Sequence, residues 1–360
     1  MPDTLPTTPE EITAGWVGSR LGAPVSHLGR EPITDRSGLN GETVRLHLTY
    51  EAPHTAVHPA RPASVIAKLP GARSRGVAEY QRWYEREVRF YRELAPHTPM
   101  RTPRCFSAEI AANDDYVLLL EDLGALRQGD QVRGCSLAEA RAALDAVAAL
   151  HARWWESEPQ AHPWLPSTTV GLERAGPVQS AFARAWEHVR DRFPAVAQGV
   201  LDRGVEAYPD LLAEVATGPV TVCHGDYRLD NVFFDDSPDL TAPHLEVVAF
   251  DWQFACRARG VYDVAYFLAL DLEQGLLAAQ RESLLAGYLD ALASRGVTGA
   301  GAAALRRDYA ISLILATAVF AIGAAEPHPS EASRLTHEAG LRRLGAEIEA
   351  VSRLGWFESR

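Results

Sequence analysis

The stretch from Val222 to Phe234 constrains this chain most. It reads Val-Cys-His-Gly-Asp-Tyr-Arg-Leu-Asp-Asn-Val-Phe-Phe. An apolar strand, Val220 to His224, runs into a polar loop that carries Asp226 and Asn231 five positions apart. A second strand, Val232 to Phe234, follows, then a turn over Asp235 to His244. A third apolar strand, Leu245 to Trp252, ends in Phe250-Asp251-Trp252. Strands joined in this way gather Asp226, Asn231 and Asp251 at one end of a small sheet. Such hard oxygen donors suit Mg²⁺, which takes one or two protein carboxylates and fills its shell with water and phosphate.

The text before this segment is different. Thr8-Pro9-Glu10-Glu11 has the form of a helix start, with Thr as N-cap, Pro at N1 and acids in the first turn. Ile12, Trp16, Val17 and Leu21 give its apolar stripe, and Gly22 ends it. Ser37-Gly38-Leu39-Asn40-Gly41 is turn chemistry. Thr43–Tyr50 and Ser64–Leu69 read as strands, so a small antiparallel sheet with a glycine-containing hairpin loop is expected. Ala78 to Leu94 reads as a helix with a wide aromatic face. Glu87 lies inside that face, between Trp83, Tyr84, Phe90 and Tyr91. A carboxylate there is costly unless a cation meets it. Of the 35 basic residues only one, Lys68, is a lysine, and it lies on the preceding strand.

A further strand, Tyr116 to Leu120, leads into the polar break Glu121-Asp122-Leu123-Gly124. We divide the chain there, into 1–122 and 123–360. The remainder reads as mainly helical. Ser136 and Glu139 form a capping box for a helix reaching about Trp155. Further helices are expected over 177–216, 261–271, 275–294, 302–325 and 330–353. The fold class is therefore α+β, with a small sheet-containing lobe and a larger helical lobe.

Composition narrows the partners. The formal net charge is −12, which repels nucleic acid and anionic lipid. Cys105, Cys135, Cys223 and Cys256 include no C-x-x-C pair, so neither a disulfide framework nor a structural zinc site is expected. Free thiols point to the cytoplasm, and the first twelve residues lack the basic and apolar regions of a secretory signal. Tyr309 to Ala325 carries no charge over 17 residues, short for a membrane span, and reads as a buried core helix.

His224-x-Asp226-x4-Asn231 followed by Asp251 resembles the catalytic loop and metal-binding aspartate of the protein-kinase-like fold. HGDYRLDNVFFD, VAFDWQ and YDVAYFL are closest to its aminoglycoside phosphotransferase and choline kinase-like branch. The resemblance implies ATP and Mg²⁺ as cofactors and transfer of the γ-phosphate to a hydroxyl of a small molecule. Asp226 would be the catalytic base, and Asn231 and Asp251 the metal ligands. Ser37, Gly38, Asn40 and Gly41 would cover the phosphates, Lys68 would reach them and pair with Glu87, and Glu121 would join the nucleotide site. His224 and Asp263 would support the loop. There is no G-x-G-x-x-G, the metal aspartate is followed by Trp252-Gln253, and no A-P-E is present. These departures favour a small acceptor over a protein one; with the negative net charge, no nucleic-acid or membrane partner is expected, and the chain is expected to be a monomer or homodimer. Two other readings remain, a nucleotide-binding module without activity and a metal-dependent hydrolase built on His224. Ordinary packing accounts best for His151, Cys223 and the tryptophans at 154, 155, 164 and 186.

Overall fold

The computed structural model describes residues 5–33, 41–51, 61–71, 78–111, 115–157, 161–236, 245–299, 301–328 and 330–358. The chain divides into two compact units, Met1–His97 with Thr102–Ala125, and Thr98–Arg101 with Leu126–Arg360.

In the first unit helix α1, Ala14–Leu21, begins later than Thr8. Thr8 precedes only a 3-10 turn, Pro9–Glu11, and makes no side-chain cap. The Thr13 hydroxyl caps α1 instead, accepting the Trp16 N–H at 3.1 Å. Five strands follow: β1 (Val25–Pro32), β2 (Gly41–Tyr50), β3 (Ser64–Pro70), β4 (Cys105–Ile110) and β5 (Tyr116–Glu121). All pairings are antiparallel, in the order β1-β2-β3-β5-β4. Val65, Ala67 and Leu69 of β3 join Val44, Leu46, Val117 and Leu119 in one cluster with Ile12, Trp16 and Val17. The period of two that buries them sends Lys68 to the opposite face. That face is covered by α2, Ala78–Arg89, which continues as a π turn over Phe90–Leu94. Tyr84 of α2 stacks on Tyr116 of β5 at 4.3 Å.

In the second unit β6 (Arg127–Gln128), β8 (Val232–Asp235) and β9 (Glu246–Ala249) form one antiparallel sheet. β7 (Thr221–Cys223) and β10 (Cys256–Ala258) form a second. The expected third strand stops at Ala249, because Asp251 takes a left-handed backbone, φ 64° and ψ 66°, that no strand accommodates. The Ser136–Glu139 capping box opens α3, Leu137–Arg153, with both of its bonds in place. The single helix expected over 177–216 is two, α4 (Ala175–Val189) and α5 (Ala195–Val215). Pro194 divides them by holding Phe193 extended. Helices α6 (Val261–Asp271), α7 (Gln274–Ser294), α8 (Ala302–Ala325) and α9 (Glu331–Arg353) complete the unit. Every residue of α6 is buried. Helix α8 alone among the described residues is long and apolar enough to cross a membrane, and 72% of its apolar window is buried within the protein. It is a core helix.

Candidate active site

In the first unit, the Lys68 ammonium lies 2.9 Å from Oε1 and 2.7 Å from Oε2 of Glu87. Glu87 is 1% exposed, so the aromatic face of α2 does contain a paired carboxylate. Gly41 pairs opposite Pro70. A β-carbon there would lie 3.2 Å from the Leu69 carbonyl oxygen, 3.3 Å from the Tyr116 hydroxyl and 3.9 Å from Lys68 Cε. The Glu121 carboxylate accepts the Arg104 N–H at 2.9 Å. Ser37, Gly38 and Asn40 lie outside the described residues.

In the second unit, the loop from His224 to Asn231 is fixed by two carboxylates of α6. Asp263 accepts the backbone N–H groups of His224 at 2.7 Å and Gly225 at 2.9 Å. Asp271 accepts the Leu229 N–H at 3.0 Å. Asp271 is fully buried; burial first, and the nearby Asp230 charge second, push its carboxyl well above the ordinary range. His224 ties the loop to the strand behind it. Its Nε2 donates to the Phe250 carbonyl oxygen at 2.9 Å, and its Nδ1 accepts the Asp226 N–H at 3.3 Å. A carbonyl can only accept and an amide can only donate, so these two bonds set the ring tautomer. Trp252 packs on the imidazole at 4.4 Å. Only glycine fits at 225. Its φ is 83°, and a β-carbon would run into the Phe254 carbonyl oxygen.

Asp226 is held by its neighbours. Asn231 Nδ2 donates to its Oδ2 at 2.7 Å and to its carbonyl oxygen at 2.8 Å. Arg228 Nε lies 3.2 and 3.3 Å from the two carboxylate oxygens. The same guanidinium reaches Asp230 and Gln131, both at 2.9 Å. Burial opposes the charge on Arg228, but Asp226 and Asp230 outweigh it and hold its pKa above the usual arginine value. Arg228 stands in the loop sequence, yet nothing local marks it as a clamp, since Gln131 is 97 residues away.

The amide nitrogen of Asn231 is committed to Asp226, which leaves its Oδ1 as the acceptor for a cation. Phe250 N–H donates to the Asn231 carbonyl oxygen at 3.1 Å, and Val232 pairs with Ala249. This register brings Asn231 and Asp251 to the same end of β8 and β9. The donor set, one amide oxygen and one carboxylate, fits Mg²⁺.

His151 and Cys223 belong to the packing beneath the loop. His151 Nε2 donates to Asp263 at 3.2 Å and its Nδ1 accepts from the Tyr288 hydroxyl at 2.9 Å. His151, Cys223 and Asp263 lie close enough to hold a metal ion, but Asp263 is already engaged by His151 and two backbone amides. Trp154 and Trp186 are buried, and their indole N–H groups reach Thr98 and Asp202.

One side of the loop adjoins a small cavity of about 10 Å³, room for about one water. Thr169 lines it, and its Cγ2 lies 3.0 Å from where a Gly225 β-carbon would be. Tyr262 also lines it, with its ring 5.7 Å from that of Tyr266. Burial first and Asp226 second push the Tyr266 phenol up, so it stays protonated beside that carboxylate. Thr168, a β-branched residue at φ 70°, is held there by bonds between the Pro166–Thr168 backbone and Arg257. Such a conformation costs about 1–3 kcal/mol.

The sequence pattern of the phosphotransferase enzyme family matches residues 56–298, more than half of the chain. No curated protein matches. Among solved structures, the GDP complex of wild-type aminoglycoside 2'-phosphotransferase-IIIa is similar with a TM-score of 0.55 at 12% identity, covering 94% of this chain and 97% of that one. Choline kinase from Cryptosporidium parvum Iowa II gives 0.56 at 9% identity, covering 92% of each. A choline/ethanolamine kinase family protein from Mesorhizobium loti gives 0.52 at 13% identity, covering 93% and 97%. These likenesses establish a kinase-like fold.

Proposed function

The chain belongs to the phosphotransferase enzyme family, and from that premise we propose that it transfers the γ-phosphate of ATP to a hydroxyl of a small molecule. The observation that carries this reading is the clamped Asp226 carboxylate, oriented by Arg228 and Asn231 beside the strand end that bears Asp251. The acceptor oxygen forms a bond to the γ-phosphorus while the bond from that phosphorus to the β,γ-bridging oxygen breaks. The hydroxyl proton passes to Asp226, and the products are a phosphate monoester and ADP. Asn231 Oδ1 and Asp251 would hold Mg²⁺, which when bound offsets phosphate charge. Lys68, oriented by Glu87, would grip the phosphates. Holding these groups in place is most of the catalysis. The four cysteines are free thiols, which suits a reducing cytoplasm.

The test is an ATP-consumption screen over small hydroxyl compounds, with product mass checked for one added phosphoryl group. GTP serves as a second donor arm, because the aminoglycoside 2'-phosphotransferase above is a GDP complex. Asp226→Ala should lose about 10²–10⁴-fold in turnover while still binding nucleotide. Unchanged turnover would remove Asp226 from the mechanism. Asp251→Ala should weaken Mg·ATP binding more than Asp226→Ala does, and equal affinities by calorimetry would refute that division of roles.

A further inference from the structure

We propose that Gln131 is a positioning residue for phosphoryl transfer: acting through Arg228, it keeps the guanidinium from closing on Asp226, so that one carboxylate oxygen stays open to the acceptor hydroxyl. This rests on the phosphotransferase reading above.

The contact between Arg228 and Asp226 is not the one an arginine prefers. A guanidinium free to choose takes a carboxylate with two parallel bonds, one nitrogen to each oxygen. Arg281 meets Glu347 in this way, at 2.6 Å on both oxygens. Arg228 gives Asp226 a single nitrogen, Nε, shared between the two oxygens at 3.2 and 3.3 Å. Its Nη1 is held elsewhere, by Gln131 Oε1 and Asp230 Oδ2, each at 2.9 Å. Asn231 takes Oδ2 of Asp226 at 2.7 Å, which leaves Oδ1 the more open of the two oxygens. A two-pronged closure of Arg228 would cover it.

The anchor is rigid. Gln131 is fully buried. Its N–H donates to Asp230 Oδ1 at 3.0 Å, and the Gln128 side chain donates to the Asp230 carbonyl oxygen at 2.8 Å. The buried Arg343 guanidinium donates to the carbonyl oxygens of Gln131, Val132 and Leu270, which ties this segment to the end of α6. At Gly129 a β-carbon would run into the Leu229 carbonyl oxygen. Residues 128–132 thus form a fixed back wall for the catalytic loop.

A second observation shows why the side chain is an amide. Arginine can only donate, so the bond to Arg228 fixes which end of the Gln131 amide is the oxygen. The other end, Nε2, is buried without a hydrogen-bond partner. Buried donors are nearly always paired, and an unpaired one destabilises the fold. A side chain selected for packing alone would not carry it. The glutamine is kept for the oxygen that it offers Arg228. A glutamate would offer the same oxygen, but would set a third carboxylate on a guanidinium that already serves two.

The experiment compares Gln131→Met with the wild type in the 360-residue chain. Methionine is of similar length and lacks both the oxygen and the unpaired donor, so the melting temperature should stay within about 4 °C of the wild type. Turnover of Mg·ATP is read with water as the acceptor and with the best acceptor from the screen above. The kcat should fall about tenfold or more, because a misplacement of about 1 Å can cost about 10²-fold. The KM for ATP should stay within about twofold. In an Arg228→Lys background no Nε and Nη1 are left to be set against each other, so adding Gln131→Met should change kcat by less than about twofold.

Equal losses in the two backgrounds would show that Gln131 does not act through the guanidinium, and would overturn the proposal. So would a melting temperature lower by about 10 °C or more, which would make the glutamine a packing residue. If the wild type transfers phosphate and Gln131→Met matches its kcat, the proposal falls and the phosphotransferase reading stands. If the wild type consumes no ATP with any acceptor, that reading falls and takes the role of Gln131 with it.

Discussion

Glu87 and Glu347 are both buried, at 1% and 0% exposure, and each meets a cation, yet the two pairs are built differently. Glu347 takes Arg281 Nε and Nη2, one on each oxygen, both at 2.6 Å. The Tyr309 hydroxyl donates to it at 2.9 Å and Gln274 at 3.2 Å. The planar fork is spent on its carboxylate, and Arg281 itself is 6% exposed. Glu87 meets a compact ammonium centred between its oxygens, on a residue that is 18% exposed. A chain with 34 arginines and one lysine uses arginine where the task is to close a core. It places lysine where a thin stem and three rotatable donors leave room for a further anion. The first pair serves stability. The second, on our reading, serves stability and phosphate binding together.

The largest test removes each cation. Arg281→Met and Lys68→Met should each cost about 3–5 kcal/mol, because each takes the cation away from a buried carboxylate. Denaturant unfolding measures both. If Lys68→Met leaves stability unchanged, Glu87 does not depend on the ammonium and the two pairs are not comparable.

Lys68→Arg sharpens the contrast. Glu87 keeps a cation, so melting temperature should stay near that of the wild type. The planar fork has a different reach, and a misplacement of about 1 Å can cost about 10²-fold. We expect kcat/KM to fall by roughly that factor, about 3 kcal/mol of transition-state stabilisation. Wild-type activity in this variant would withdraw Lys68 from the nucleotide site.

Arg281→Lys is the mirror experiment. It keeps the charge and loses the two-pronged bond, so stability should drop by about 1.5–3 kcal/mol, the scale of a hydrogen bond to a charged group. The kcat/KM should remain within about twofold of wild type. A large loss of activity with intact stability would erase the division between the pairs.

A third buried acid shows what happens without direct pairing. Asp271 accepts the Leu229 backbone N–H, and its folded-state pKa is raised. A raised folded pKa means that its contribution to stability is complete below the ordinary aspartate range and is lost as pH climbs through the folded value. Asp271→Asn does not titrate. The stability of the wild type relative to this variant should therefore fall with rising pH, by up to about 1.4 kcal/mol for each pH unit inside that window. A flat difference from pH 4 to pH 8 would show that Asp271 titrates normally.

The central elements of the sheet were legible because burial writes a period of two into them. β2, β3 and β5 alternate or run apolar, and their positions follow from the sequence. β1 and β4 carry no such signal. In β1 only Val25 and Leu28 are buried, and β4 is intermediate throughout, so an edge strand here looks like a loop. The candidate site divides in the same way. Lys68 and Glu87 were conspicuous as a lone lysine and a misplaced acid, and the Asp226 loop by its spacing. The clamp from Arg228 to Gln131 and the second anchor at Asp271 depend on residues distant in the chain. No local pattern encodes them.

Asp263 and Asp271 stand eight positions apart on α6, about 12 Å along its axis. One grips the start of the Asp226 loop and the other its far side. The loop therefore has no independent route to opening. The backbone amides of His224, Gly225 and Leu229 can trade their protons with solvent only when α6 itself comes away from the interior. Their exchange rates should report the global unfolding free energy, and a catalytic loop, ordinarily among the quicker parts of a protein to exchange, should here be among the slowest.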